Sequence, residues 1–309
     1  MSDPITTIIS WLNGKFKREN QLNWDAILSA SEKEGMTAIL YTFLKDRDIP
    51  HDFKESLKAS YILNYFHNTR IIQELEFLYP LFVKEDISFT PLKGGALILT
   101  VYNDIAHRPM GDIDLLVNEE DIERTHDILQ GEGYSLVTLE YRPRWRKFGG
   151  KREYRKGNFL IDLHFYNRDI KNDKKDFLYS LVMNEMRFVN INEKGLIVPS
   201  PEDLFLHLLY HMTYHHFYLR LIWLFDVVKI FEEYGDHPFW EALHEKIIKL
   251  NIVQPSYYVL TKIKEFFYAP VPHWFINSIK PSKNYFGILL KMGKNEMVCH
   301  TIKFFKIPG

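Results

Sequence analysis

Cysteine is almost missing from this chain, with Cys299 the single one among 309 residues. One thiol excludes an internal disulfide and any zinc cluster built on cysteines, and it suits a reducing compartment. Also missing is an uncharged apolar run near the roughly 20 residues that a bilayer-spanning helix needs. The start, "MSDPITTIISWLNGKFK", lacks the basic n-region, long apolar stretch and small-residue cleavage site of a secretory signal. The expectation is a cytoplasmic protein without a membrane partner. Charge of one sign is not in excess either: 39 Lys and Arg face 40 Asp and Glu. No global field then draws the protein onto nucleic acid or anionic lipid, so any polyanion site has to be local. What the chain does have is apolar mass, 46% hydrophobic and 15% aromatic. That can bury a large core in one large or two modest domains.

The texture changes twice along the chain. Residues 1–85 read as helical. Asn23 can cap a helix through "WDAILSASEKEGMTAILYTFLKDR", Pro50 breaks it, and a second long helical stretch runs to Glu85. From Ile87, "ISFTPL" reads as a strand, Gly94-Gly95 as a turn, "ALILTVY" as a short helix and "DIDLLV" as a strand. A helix follows, opened by Asn118 and closed at Gly131 or Gly133. A hairpin comes next, with strands near 134–147 and 151–166 and Gly149-Gly150 at its turn. Residues 199–309 read as helical again, with a weakly patterned tail beyond Pro270. The expected architecture is α+β: a small mixed sheet in a catalytic core spanning 86–198, with helical regions before and after it.

"DIDLLV" is where chemistry enters. Side chains alternate along a strand, so Ile113, Leu115 and Val117 point to a core. Asp112 and Asp114 then share the other face, with Cα atoms roughly 6.5–7 Å apart. Two carboxylates so placed can bracket one hard cation or bridge two. Spacing alone is weak, because Asp46 and Asp48 in "KDRDIP" share it in a polar loop. A third carboxylate strengthens the case. In "NFLIDLHFY", Asp162 and His164 lie opposite the apolar Ile161, Leu163 and Phe165. If this strand neighbours the first, three carboxylates converge, and a divalent cation is their natural counterweight. The ordinary alternative is an arginine partner for Asp162 on a solvated face. "LKGGA" adds Gly94 and Gly95 before a helix N-terminus, where backbone N–H groups and the helix dipole suit phosphate. Lys93 and Arg108 can add positive charge.

Taken together, "KGGALILTVYNDIAHRPMGDIDLLV" resembles the signature of the DNA polymerase β-like nucleotidyltransferase superfamily. There, a Gly-Gly or Gly-Ser turn precedes an Asp-x-Asp strand and a third acidic residue follows on a later strand. The lysine before the glycines, Tyr102, "HRPMGDIDLLV", "LIDLHFY" and the helical "PSPEDLFLHLLYHMTYHHFYLRLIWLFDVV" narrow this. They resemble the uncharacterised bacterial nucleotidyltransferase family. The gap from Gly95 to Asp112 is longer than in many superfamily members. The resemblance implies that Asp112, Asp114 and Asp162 hold Mg²⁺ (or Mn²⁺), and that Asp162 helps deprotonate the attacking hydroxyl. It also implies that Gly94 and Gly95, with Lys93 and Arg108, cradle the phosphates of an NTP. The implied reaction moves a nucleoside monophosphate to a hydroxyl acceptor; the resemblance implies no particular acceptor, and the neutral net charge puts a small molecule, peptide or protein before an RNA. A non-catalytic nucleotide- or partner-binding module on the same fold is the alternative.

Two further signals stay open. Eight basic residues lie between Arg142 and Lys156. On a strand, Arg142, Arg144 and Arg146 would share a face, either gripping an acidic acceptor, the triphosphate or an RNA end, or lying solvated over apolar surface. His207, His211 and His215 recur at four-residue spacing, which can hold zinc. No zincin glutamate accompanies them, so packing or support is the expected role, with Asp226 a candidate for the acceptor pocket.

Overall fold

The computed structural model describes residues 3–16, 22–139, 150–166, 182, 185–191, 194–216 and 218–282. They fall into two compact units, Met1–Leu204 and Phe205–Gly309. The first is a mixed α+β unit, as the alternation of patterns implies.

Four helices open it: α1 (Pro4–Leu12), α2 (Trp24–Glu34), α3 (Thr37–Leu44) and α4 (His51–Lys84). Asn23 does cap α2, its Oδ1 accepting from Ala26 N. The continuous helix expected from Trp24 to Arg47 is two helices, however, because Gly35 takes φ 74 and closes α2 in a left-handed cap. A five-stranded sheet follows in the order β1-β2-β5-β4-β3. Its strands are β1 (Phe89–Pro91), β2 (Ile113–Asn118), β3 (Ser135–Leu139), β4 (Gly150–Lys156) and β5 (Phe159–Tyr166). Pairing is antiparallel except between β2 and β5, which run parallel. Helix α5 (Lys93–Thr100) joins β1 to β2, and α6 (Ile122–Gly131) follows β2.

The single strand expected over 151–166 is in fact two. Lys156 pairs with Phe159 across Gly157-Asn158, and Gly157 has φ 57. A two-residue turn of this kind needs positive φ, which glycine adopts without strain. A short hairpin, β6 (Met186–Ile191) with β7 (Lys194–Pro199), completes the unit. Thr90 Oγ1 donates to Ile197 O at 3.1 Å, tying β7 to the β1 edge.

The alternation in β2 and β5 decides where the core sits. Ile113, Leu115 and Val117 join Ile161 and Leu163 against Ile71, Leu75, Leu78 and Phe82 of α4 and Leu129 of α6. Burying a large aliphatic or aromatic side chain stabilises by about 1.5–3 kcal/mol, so this face anchors the sheet. The opposite face carries the carboxylates beside a small apolar cluster of Leu92, Leu116 and Val182.

The second unit is helical among its described residues: the end of α7 (Pro201–Tyr210), then α8 (Leu221–Tyr234), α9 (His237–Lys249), α10 (Val253–Phe266) and α11 (His273–Ser278). Trp240 packs against Phe231 and Phe275, with ring centroids 4.7 and 4.8 Å apart. No described helix is long and apolar enough to cross a membrane.

Candidate active site

The path from β1 to β2 builds the site. Leu92 N donates to Asp114 O at 2.9 Å, ending the strand pairing. Lys93 then turns the chain at φ 46. Positive φ costs energy for a residue with a side chain and is concentrated at functional positions. The turn expected at Gly94-Gly95 is therefore made by Lys93, and both glycines lie inside the first turn of α5. A Cβ on Gly94 would stand 2.5 Å from Met110 Sδ and 3.8 Å from Arg108 Cζ; one on Gly95 would stand 3.3 Å from Pro91 Cβ. A side chain at Gly94 would have to displace the flexible end of Met110, and one at Gly95 would press on Pro91.

The long segment between Gly95 and Asp112 has a structural role. Residues 105–107 form a 3-10 turn with Asp104 at its start, and helices α3 and α4 hold it in place. Tyr61 Oη donates to Asp104 Oδ2 at 2.8 Å, and Thr42 Oγ1 meets His107 Nε2 at 2.8 Å. Asn64 Nδ2 donates to Ala106 O at 3.0 Å; Asn68 Nδ2 donates to Ile105 O at 2.5 Å and Arg108 O at 2.7 Å. Burial and the Asp104 carboxylate work on Tyr61 in the same direction as its hydrogen bond, the largest cause, and its hydroxyl is pushed up to about 12. Arg108, 8% exposed, is thereby fixed above Gly94.

Parallel pairing of β2 with β5 puts Asp114 directly across from Asp162. Asp112 precedes the first β2 residue and is half-buried. Asp112 lies near enough for the charges of Asp114 and Asp162 to act on it, while the ligand atoms within 4.8 Å of one another are those of Asp114, Asp162 and His164. Asp114 is 5% exposed, and two donors meet its Oδ1: Lys93 Nζ at 2.6 Å and His164 Nε2 at 2.8 Å. Asp162 Oδ2 meets Lys151 Nζ at 2.5 Å, and Lys151 also meets Glu153 Oε1 at 2.9 Å. The partner of Asp162 is thus a lysine from β4, not an arginine. Glu153, register neighbour of Asp162, accepts from Thr138 Oγ1 at 3.0 Å. Lys151, Glu153 and the role of His164 were missed from sequence because their pairing depends on strand order.

Electrostatics separate the three acids. Burial pushes the Asp112 carboxyl up to about 7, the Asp114 and Asp162 charges adding to it while Lys93 works against it. Asp114 moves the other way. Burial opposes its charge too, but the Lys93 ammonium and the His164 hydrogen bond outweigh this and hold it well below the usual carboxylate range. Lys151 is likewise opposed by burial, yet its hydrogen bonds to Asp162 and Glu153 hold it above the usual ammonium range.

The donor set fits a divalent cation. Ligand atoms from Asp114, Asp162 and His164 lie within 4.8 Å of one another. Asp162 Oδ1 is buried with no hydrogen-bond partner, a costly arrangement unless a cation or water answers it. Two lysine ammonium groups already meet these carboxylates, which shows how strongly the site favours positive charge.

The histidines of the second unit do not form a comparable centre among the described residues. His211–His215 is a π-helical turn, in which His216 N donates to His211 O at 3.1 Å. The four-residue spacing is broken there, and the His211 ring packs against those of His216 and Trp223, with centroids 4.4 and 5.0 Å apart. His207 and Asp226 are buried. The arginine ladder Arg142, Arg144 and Arg146 lies outside the described residues.

Asp114 and Asp162 on neighbouring strands, with Asp112 just before β2, thus lie near the lysine-turned start of α5. Residues 20–268 match the family described as uncharacterised nucleotidyltransferase, and the chain belongs to that family. Among solved structures, the chain is similar to the lincosamide antibiotic adenylyltransferase LnuA bound to lincomycin. That similarity has 18% identity over 51% of this chain and 94% of that one, with a TM-score of 0.36. It is also similar to ANT(2″)-Ia in complex with adenylyl-2″-tobramycin, with 12% identity over 57% and 94%, TM-score 0.40. A third is an antigenic nucleotidyltransferase-like protein from Paracoccidioides brasiliensis, with 15% identity over 57% and 87%, TM-score 0.38. Likeness of this extent fixes neither site nor substrate. Comparison with curated protein sequences gives no significant match.

Proposed function

We propose that the protein transfers a nucleoside monophosphate from an NTP to a hydroxyl acceptor and releases pyrophosphate. The observation that carries this is the convergence of Asp112, Asp114 and Asp162 on one sheet face, with Asp162 Oδ1 buried and unanswered. Asp112, Asp114 and Asp162 would hold Mg²⁺ or Mn²⁺. When bound, the metal supplies Lewis-acid charge that lowers the pKa of the attacking hydroxyl and offsets charge on the leaving pyrophosphate. The acceptor oxygen bonds to the α-phosphorus, the bond from that phosphorus to the bridging oxygen breaks, and Asp162 takes the hydroxyl proton. Gly94 and Gly95 offer N–H groups at the start of α5 to the β- and γ-phosphates. Lys93 reaches the same phosphates by leaving Asp114, and Arg108, beside Gly94, adds a second positive charge. The acceptor is a small molecule, peptide or protein, since the neutral net charge supplies no long-range field for RNA.

Thermal melting with each of the four NTPs tests this directly. A ligand that binds only the native state stabilises it by about 2.7 kcal/mol at a hundredfold excess over Kd. For a chain of this size that is roughly 4 °C. At least one NTP should raise the melting temperature with Mg²⁺ present and much less with EDTA, because three carboxylates repel a bare triphosphate. Four unmoved melting curves at millimolar NTP would defeat the reading and leave a partner-binding module on the same fold.

A further inference from the structure

His164 enters no step above, yet it is 8% exposed and fixed on a proposed metal ligand. The parallel register places it two residues beyond Asp162 along β5, opposite Leu116. It therefore lies past Asp114, on the side away from Asp112, at roughly 6.5–7 Å along the strand. A cation held by Asp112, Asp114 and Asp162 would lie toward the other end. The 2.8 Å contact also sets the tautomer. A bare imidazole nitrogen facing a carboxylate oxygen at that distance would set lone pair against lone pair, so Nε2 carries the hydrogen and donates it. Ligand atoms of Asp114, Asp162 and His164 lie within 4.8 Å of one another, but while Nε2–H is given to Asp114 Oδ1 that nitrogen has no lone pair for a cation. Lys93 Nζ meets the same Oδ1 at 2.6 Å. Two donors on one oxygen hold the carboxylate plane and leave Oδ2 for the cation.

We propose that His164 is the positioning residue of this site: its Nε2–H, given to Asp114 Oδ1, aims Oδ2 at the divalent cation. Lys93 is shared with the phosphates in the reading above, which this inference rests on. His164 is then the donor that stays on Asp114 when Lys93 departs, keeping the ligand aimed through turnover.

Mn²⁺ titration of the full chain, followed by electron paramagnetic resonance without nucleotide, tests the assignment. His164→Ala should weaken Mn²⁺ binding by roughly 10–100-fold, the range for losing a residue that orients a metal ligand. His164→Gln keeps an N–H donor at similar reach and should stay within about threefold of wild type. His164→Asn keeps the polarity but is too short to reach Asp114, and should behave like Ala; it serves if Ala fails to fold. Melting curves and circular dichroism establish folding for each variant. Unchanged Mn²⁺ affinity in folded Ala or Asn variants overturns the proposal and leaves His164 as packing. Equal loss in Gln and Ala overturns it in favour of direct ligation. Wild-type protein that binds no Mn²⁺ overturns it outright. Failure of the transfer reading looks different: Mn²⁺ binds, Gln rescues, and no NTP shifts the melting temperature.

Discussion

Asp46 and Asp48 stand two residues apart in "KDRDIP", as Asp112 and Asp114 do in "GDIDLL". The first pair is exposed after α3; in the second, Asp112 is half-buried and Asp114 is 5% exposed. Solvent screens the first pair, so two negative charges there cost little. At the second, low-dielectric surroundings amplify both repulsion and attraction. The chain answers with Lys93, His164 and Lys151, and still leaves Asp162 Oδ1 without a partner. Burial, not spacing, turns an Asp-x-Asp into a candidate cation site.

The largest effect that would sharpen this contrast is on turnover. Asp112→Ala should lower transfer by roughly 10³-fold or more, since a metal's stabilisation of the transition state amounts to several kcal/mol at tenfold per 1.36 kcal/mol. Asp46→Ala and Asp48→Ala should leave the rate within about twofold, because neither carboxylate is buried against a charge. Pyrophosphate release measured on all three variants decides it; equal losses would erase the distinction between the pairs.

Stability comes next, and the two buried acids should differ in sign. Asp114→Ala leaves Lys93 and His164 without their carboxylate, and breaking a buried pair of this kind costs about 3–5 kcal/mol. Asp112→Asn removes repulsion instead and should raise the melting temperature of EDTA-treated protein by a few degrees. Its pH dependence follows from the raised Asp112 pKa. A carboxyl that titrates near 7 when folded, and at about 4 when unfolded, binds its proton more tightly in the folded state. The stability it contributes is full below about 4 and is lost as pH rises toward about 7. The melting difference between Asp112→Asn and wild type should widen over that window and level off above it. A constant difference from pH 4 to 8 would contradict the electrostatic account.

Smaller still is the effect at Gly94. Gly94→Ala puts a methyl 2.5 Å from Met110 Sδ, and overpacking of this kind costs about 1–3 kcal/mol. Met110 packs against the core, so Met110→Ala costs stability by itself; relief of the clash shows as a double variant less destabilised than the sum of the two single changes. If NTP affinity falls in Gly94→Ala and returns in the double variant, the glycine serves packing alone. Affinity that stays low in the double variant assigns the glycine to the phosphates. The smallest change belongs to the stability of Asp46→Ala and Asp48→Ala, within about 0.5 kcal/mol of wild type by chemical denaturation.

Much of this site was legible without coordinates. Alternation in "DIDLLV" and "NFLIDLHFY" separated core-facing Ile113, Leu115, Ile161 and Leu163 from Asp114 and Asp162, because a period of two is a local property of an extended chain. Asn23 as a cap and the helical texture on both sides of the core are local as well. Local conformation also explains the misplacements. Gly35 and Gly157 each had a left-handed state available, but which glycines use it depends on how the neighbouring elements must turn to pack. What tertiary structure alone decided is the partner of each charge. That β2 lies beside β5, and β5 beside β4, is set by burial of the shared apolar face against α4 and α6. That order, in turn, brings Lys151 to Asp162 and His164 to Asp114 from 11 and 50 residues away. The residue types at the site follow from the sequence. Their pairing, and with it the opposite shifts of Asp112 and Asp114, arises only when strands distant along the chain share one face in a low-dielectric interior.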